Sequence, residues 1–228
     1  LSLPWDGVSL RWFSAVFHHP DFVASFWNSA RLALFSATIS TTLAVPSALA
    51  ITRYSFRGRD ALNALFLSPL IIPHLVIGVA FLRLFSFIGA TGSFGWLVAA
   101  HVMVIMPYAL RLILAALNGM DLSAEMAART LGAGEWIVFR RITFPMLLPG
   151  ISGGWLLAFI NSFDELTMSI FVTAPSTITL PVRMYMYASE SIDPMMAAVS
   201  TLMIALTGIT MIILDRLFGL DQLLVGKG

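Results

Sequence analysis

Residues 32–52 read LALFSATISTTLAVPSALAIT, a run of 21 residues without Asp, Glu, Lys or Arg. A helix needs about 20 apolar residues to cross a hydrocarbon core about 30 Å thick. The run therefore reads as a membrane span, and it has counterparts. Residues 61–82, 142–163 and 195–214 are uncharged runs of 22, 22 and 20 residues. Residues 84–110 form a fourth such run of 27 residues, but Gly89, Gly92 and Gly95 make its first third a turn. That helix is expected over residues 96–117, with Arg111 near its end, where a guanidinium can snorkel to headgroups. The expected fold is all-α transmembrane with five spanning helices. Composition agrees: of 228 residues 58% are hydrophobic and 11% charged, against about 25% charged in a soluble domain, and the mean hydropathy is +0.89. Soluble, disordered and nucleic-acid-binding classes are excluded on that ground. Cysteine is absent, so disulfides, thiolate metal sites and cysteine nucleophiles are excluded too.

Arginine placement sets the orientation. The turn after the first span, Arg53-Tyr-Ser-Phe-Arg57-Gly-Arg59, holds three arginines, while residues 85–95 hold none. The positive-inside rule places the first turn in the cytoplasm. Alternation then makes residues 118–149 and the C-terminus cytoplasmic, and nine of the 13 basic residues fall inside. Residues 1–25 fall outside, where Trp5, Trp12, Phe13 and Phe17 suit an interfacial segment. A chain of five spans that starts outside, at Leu1 rather than methionine, is expected to follow an earlier span.

Residues 118–149 are too long and too patterned for a passive connector. Asp121 and Ser123 are candidate N-caps, and Glu125 suits the positive end of a short helix. Gly132-Ala133-Gly134 stops that helix. A second, amphipathic helix starts near Glu135 with Trp136, Phe139 and Ile142 on one face, and Pro145 and Pro149 are expected to break it before the fourth span. Small residues at the turn (Ala127, Ala128, Gly132, Ala133, Gly134) admit another backbone, and Glu125 and Arg129 can fix register by pairing. A docking knob and a helix that merely tethers the loop to the membrane fit these features equally.

Met126-Ala-Ala-Arg-Thr-Leu-Gly132, nine further residues and then Ile142-Thr-Phe-Pro145 resemble the EAA loop of membrane permeases in binding-protein-dependent (type I) ABC importers. Met126 stands where that pattern has glutamate, with Glu125 one place earlier, and Phe144 replaces leucine. Trp5 to Trp12, Trp27-Asn-Ser29, Ser162-Phe-Asp-Glu-Leu166, Phe171-Val-Thr-Ala-Pro175 and Thr179-Leu-Pro181 are similar to the spermidine/putrescine permease subfamily. The resemblance implies one transmembrane domain over residues 1–228, of a fold with six spans, in a bacterial inner membrane. It makes residues 118–149 the coupling loop, with Glu125, Ala127, Ala128, Arg129, Leu131, Gly132, Ala133 and Gly134 meeting an ABC ATPase dimer. Further implied partners are membrane lipid, a second permease subunit of different sequence, a periplasmic or lipid-anchored solute-binding protein, and a small organic solute, a polyamine in this subfamily. No phosphate-binding Gly-x-x-x-x-Gly-Lys-[Ser/Thr] occurs, and Lys227 is the only lysine. The chain is thus expected to be no enzyme and to hold no cofactor, ATP and magnesium being bound by the separate ATPase.

Asp164 and Glu165 are expected inside the fourth span, in its outer half. Carboxylates there are costly and face a cavity or a partner. They are candidates for a cation pathway, or for a structural pair with Arg83, Arg183 or the companion permease. Pro69 and Pro73 interrupt the second span, either freeing carbonyls for a pathway or kinking a packed helix. Gly150, Gly153 and Gly154 mark a close helix approach. The four histidines lack metal-ligand spacing and Met184, Met186, Met195 and Met196 read as apolar filler, so no metal site is expected. Asp193-Pro194 should cap the last span. Residues 172–193 form an external loop, re-entrant or a plain connector. The competing reading is an ion-gradient-driven transporter or channel using Asp164 and Glu165 as proton sites. A membrane enzyme has no supporting motif.

Overall fold

The computed structural model describes residues 10–190 and 193–218, and among them there is helix and no strand. The elements are α1 (Arg11–His18), α2 (Pro20–Arg53), α3 (Arg59–Leu67), a 3₁₀ turn (Ser68–Leu70), α4 (His74–Phe87) and α5 (Phe94–Asn118). There follow α6 (Ser123–Thr130), α7 (Glu135–Val138), a π turn (Phe139–Thr143), α8 (Phe144–Phe163), α9 (Ser169–Val172), α10 (Leu180–Glu190) and α11 (Met195–Phe218). Trp5 and Lys227 lie outside the described residues.

Four helices are long and apolar enough to cross a membrane, Pro20–Arg53, Phe94–Asn118, Glu135–Phe163 and Met195–Ile213, and a fifth span results if α3 and α4 count as one. That pair differs from a straight span over residues 61–82. It bends by 99°, because Pro69 and Pro73 each remove a backbone donor and Pro73 holds extended geometry at φ −56° and ψ 131°. The fourth span departs from expectation in the opposite sense. Residues 135–163 run on as one helix instead of breaking at Pro145 and Pro149. The π turn lies immediately ahead of Pro145, where its wider ladder accommodates a ring without an N–H. Residues 20–25 of the external segment already belong to α2, with Pro20 at its first position.

The core is the packing of α2, α5 and α8. Lipid supplies no hydrophobic drive between helices, so their faces must approach closely. On α2 the buried stripe includes Ser29, Ala33, Ser36, Ala37, Ser40, Ala44 and Ala48, most of them three or four residues apart. It meets Ile105, Ala109, Leu110 and Ile113 of α5 and Leu147 and Ala158 of α8. Gly150 and Gly154 bring α8 against α5, as their sequence pattern suggested. A Cβ on Gly154 would stand 3.0 Å from the Ala109 carbonyl oxygen, and one on Gly150 would stand 2.5 Å from the Ala116 Cβ. Helix α11 packs at the periphery through Met195, Ala198 and Val199 against Val16, Phe22 and Phe163. Its first turn is capped by Asp193, whose Oδ1 accepts the Met195 N–H at 2.7 Å.

The segment after α9 is fastened to α2. The Asn28 side-chain amide donates to the Ser176 and Ile178 carbonyls, each at 3.1 Å, and the Leu180 N–H donates to the Ser29 hydroxyl at 2.7 Å. Residues 172–193 therefore contain a helix, α10, and hold the N-terminal half of α2.

Candidate functional site: an elbow between α5 and α8

Helix α6 projects from the bundle on two turns. At its start Asp121 accepts the Ser123 N–H at 2.9 Å and the Ser123 hydroxyl at 2.7 Å, so the two candidate caps act together. Those bonds hold the Asp121 carboxyl below its ordinary range. At its end the chain reverses through Gly132 at φ +84°. The Gly132 N–H reaches the Arg129 carbonyl and the Ala133 N–H the Ala128 carbonyl, at 2.9 and 3.0 Å, which is the Schellman closure. Gly132 is thus required by backbone conformation. Open space surrounds its Cα, as it does that of Gly134.

Glu125 is the one buried residue of α6, and it faces inward, toward the bundle. Its carboxylate accepts both terminal nitrogens of Arg53, the last residue of α2, at 2.7 and 2.8 Å. Its Oε1 also accepts the Thr143 hydroxyl at 2.7 Å from the π turn. The fork of charge-assisted bonds from Arg53 is what chiefly pulls the Glu125 carboxyl below its ordinary range, against the opposing effect of burial. Arg129, one turn on, lies 4.0 Å from Glu125 and donates to Glu135 at 2.9 Å, tying α6 to α7. The opposite face is open and apolar. Leu131 is 88% exposed, Met126 58% and Trp136 68%; Ala127 is exposed, and Ala128 and Ala133 are half-buried. Between elbow and bundle lies a cleft of about 660 Å³ whose walls include Tyr54, Arg129, Trp136 and Phe139.

The sequence pattern did not disclose the partners of Glu125. Arg53 reads as an orientation marker and Thr143 as part of an apolar run. The available signal was the neighbour of Glu125: adjacent side chains lie about 100° apart on a helix, so Glu125 and Met126 cannot both face outward to the same partner.

Asp164 and Glu165 are not within the fourth span. Helix α8 ends at Phe163, Asp164 is its C-terminal cap residue, and Glu165 follows. The two diverge. Asp164 is exposed. Glu165 is buried and caps α9, accepting the Met168 N–H, the Ser169 N–H and the Ser169 hydroxyl, each at 2.8 Å. His74 Nδ1, at the start of α4, lies 3.3 Å from the Glu165 Oε1, and Arg183 pairs instead with Asp21 at 3.4 Å. Glu165 is thereby committed to structure. His101, buried in α5, bridges Ser162 at 2.9 Å and Ser169 at 3.1 Å. Because Ser169 gives its single proton to Glu165, His101 Nε2 is the donor to Ser169. This network joins α4, α5, α8 and α9.

The family described as "Binding-protein-dependent transport system inner membrane component" matches residues 36–219. The spermidine/putrescine transport system permease protein PotC of Haemophilus influenzae is 34% identical over 215 residues, 94% of this chain and 83% of that protein. The putrescine transport system permease protein PotI of Escherichia coli is 31% identical over 214 residues, 90% of this chain and 75% of that one. Among solved structures, a bacterial ABC transporter involved in the import of the acidic polysaccharide alginate superposes with a TM-score of 0.74 at 15% identity, covering 93% of this chain and 84% of that one. The MetNI methionine ABC transporter in inward-facing form gives 0.72 at 18%, covering 92% and 98%. At such identities the two structures speak for the fold alone. An all-α bundle with four apolar spans and a bent fifth pair, an elbow on an EAA-like segment and a family match over most of its length together make this chain a member of the binding-protein-dependent transport system inner membrane components, a permease subunit of an ABC importer.

Proposed function

We propose that the chain forms half of the membrane path of an ATP-driven importer for a polyamine-class cation, with its elbow in the cytoplasm and its C-terminus on the same side. The observation that carries the reading is the elbow. A short helix buries a single carboxylate inward and presents Met126, Ala127, Leu131 and Gly132 outward, which suits insertion into a groove on another protein. Nucleotide and magnesium belong to that partner, an ABC ATPase dimer. A second permease chain completes the path and a solute-binding receptor delivers the solute. The similarity to PotC and PotI supports a polyamine. A molybdenum transport permease, ModB of Escherichia coli, is also 34% identical, over 70% of this chain. Asp164, an exposed carboxylate at the end of α8, suits a cation better than an oxyanion, and it is the member of the acidic pair that is not buried.

The test is ATP-dependent uptake into proteoliposomes holding the chain with its ATPase, second permease and receptor. Spermidine or putrescine should accumulate and molybdate should not, and Asp164→Asn should reduce uptake severalfold. Leu131→Asp should release the ATPase during purification. Accumulation by this chain without an ATPase would overturn the reading in favour of an ion-driven carrier.

A further inference from the structure

We infer that Glu125 is the joint through which motion of the elbow reaches the bundle, with Arg53 and Thr143 as its two sockets. The inference rests on the elbow being the ATPase docking element. Of the residues of α6, Glu125 alone is buried. The covalent exits of the helix run through Gly119 on one side and through Gly132 and Gly134 on the other, both turns rather than helix. A push on α6 is therefore carried across turns that bend easily, or across side-chain ties, of which the Glu125 carboxylate is the buried one and the Arg129–Glu135 pair the exposed one. The Glu125 carboxylate makes three short bonds to two elements of the core. The fork from Arg53 fixes both distance and plane at the end of α2, and Thr143 ties it to the π turn that leads into α8. Arg129, paired with Glu135, adds α7 to the same unit. Pushing the elbow thus loads α2 and α8 together, and these two helices share the core with α5. Glu125, Arg53 and Thr143 are positioning residues, distinct from the exposed residues that meet the ATPase.

The experiment uses the whole transporter in proteoliposomes and reads three quantities: ATPase retained on purification, ATP hydrolysed, and solute imported per ATP. Glu125→Ala and Arg53→Ala should keep the ATPase bound and hydrolysing, with solute imported per ATP falling at least tenfold. The chain has no native cysteine, so Glu125→Cys with Arg53→Cys allows the joint to be rebuilt covalently with a short bis-methanethiosulfonate in a complex whose other subunits lack cysteine. Cross-linking should restore at least a third of the ratio, and reductant should abolish it again. An unchanged ratio in the alanine variants would overturn the inference. So would loss of the ATPase from them, which would make Glu125 a docking group, or a cross-linked pair no better than the uncross-linked one. Retention of the ATPase by Leu131→Asp would overturn the docking reading itself, a result separable from all of these.

Discussion

Adding one methyl group at Gly150 tests a close contact between α5 and α8. Its Cβ would stand 2.5 Å from the Ala116 Cβ and 3.3 Å from the Leu112 carbonyl oxygen. Carbon atoms rest comfortably at about 3.5–4.0 Å, so Gly150→Ala forces α5 and α8 apart locally by about 1 Å. Overpacking costs about 1–3 kcal/mol, and an approach of 2.5 Å belongs to the upper part of that range, about 2–3 kcal/mol. The better helix propensity of alanine offsets up to about 1 kcal/mol of that, leaving a net loss of about 1–2 kcal/mol. At about 2–4 °C per kcal/mol for a chain of this size, the midpoint of thermal unfolding in detergent should fall by about 2–8 °C. The same methyl can be removed from the other helix. Ala116→Gly in the Gly150→Ala background restores the original carbon count at the contact, and the propensity changes cancel. The double variant should return to within about 0.5 kcal/mol of the parent, a coupling that independent sites would not show. A single variant as stable as the parent, or two substitutions whose effects simply add, would refute the packing argument.

Three further outcomes are expected. Since the Glu125 carboxyl is held below its reference value of about 4.5, its stabilising contribution is fully present above that value and is lost as pH falls through the lower folded value. In a variant that keeps Trp136 and replaces the other five tryptophans with phenylalanine, the fluorescence should stay constant from neutral pH to about 5 and change only on stronger acidification; a transition near neutrality would contradict the pairing with Arg53. His101→Leu removes the partner of two buried hydroxyls and should destabilise by about 1–3 kcal/mol in thermal melts, whereas an unchanged midpoint would show the network contributes nothing. Asp121→Ala should accelerate hydrogen exchange of the first α6 amides and leave those of α5 unchanged, because its bonds serve the start of α6 alone.

The spans and the elbow were legible because both are written in local pattern. Length without charge locates α2, α5 and α11, and Gly132 with the Asp121–Ser123 pair bounds α6. Proline was read less well. Pro69 and Pro73 mark a break whose sharpness depends on how α4 packs, with Gly78 against the backbone of Met168. Pro145 and Pro149 look equally disruptive and are absorbed, Pro145 by the π turn ahead of it. Asp164 and Glu165 were misplaced because the uncharged run continues to Phe163, and the end of α8 is set by a cap for α9 that only the folded backbone assembles. The carboxylate of Glu125 found partners 72 and 18 residues away, separations at which no periodicity speaks.

Helix α2 has 34 residues, about 51 Å of continuous rod. Near one end Asn28 and Ser29 clasp the strap that leads into α10, and at the other Arg53 clasps Glu125. Between those clasps lie about 36 Å of helix, longer than the hydrocarbon layer is thick. A helix gripped at two such points, with Pro46 inside it between them, passes a shift at one toward the other. Under the proposed function, solute arrival on one side of the membrane and nucleotide chemistry on the opposite side would share a single drive shaft, and neither event could proceed unnoticed by its counterpart.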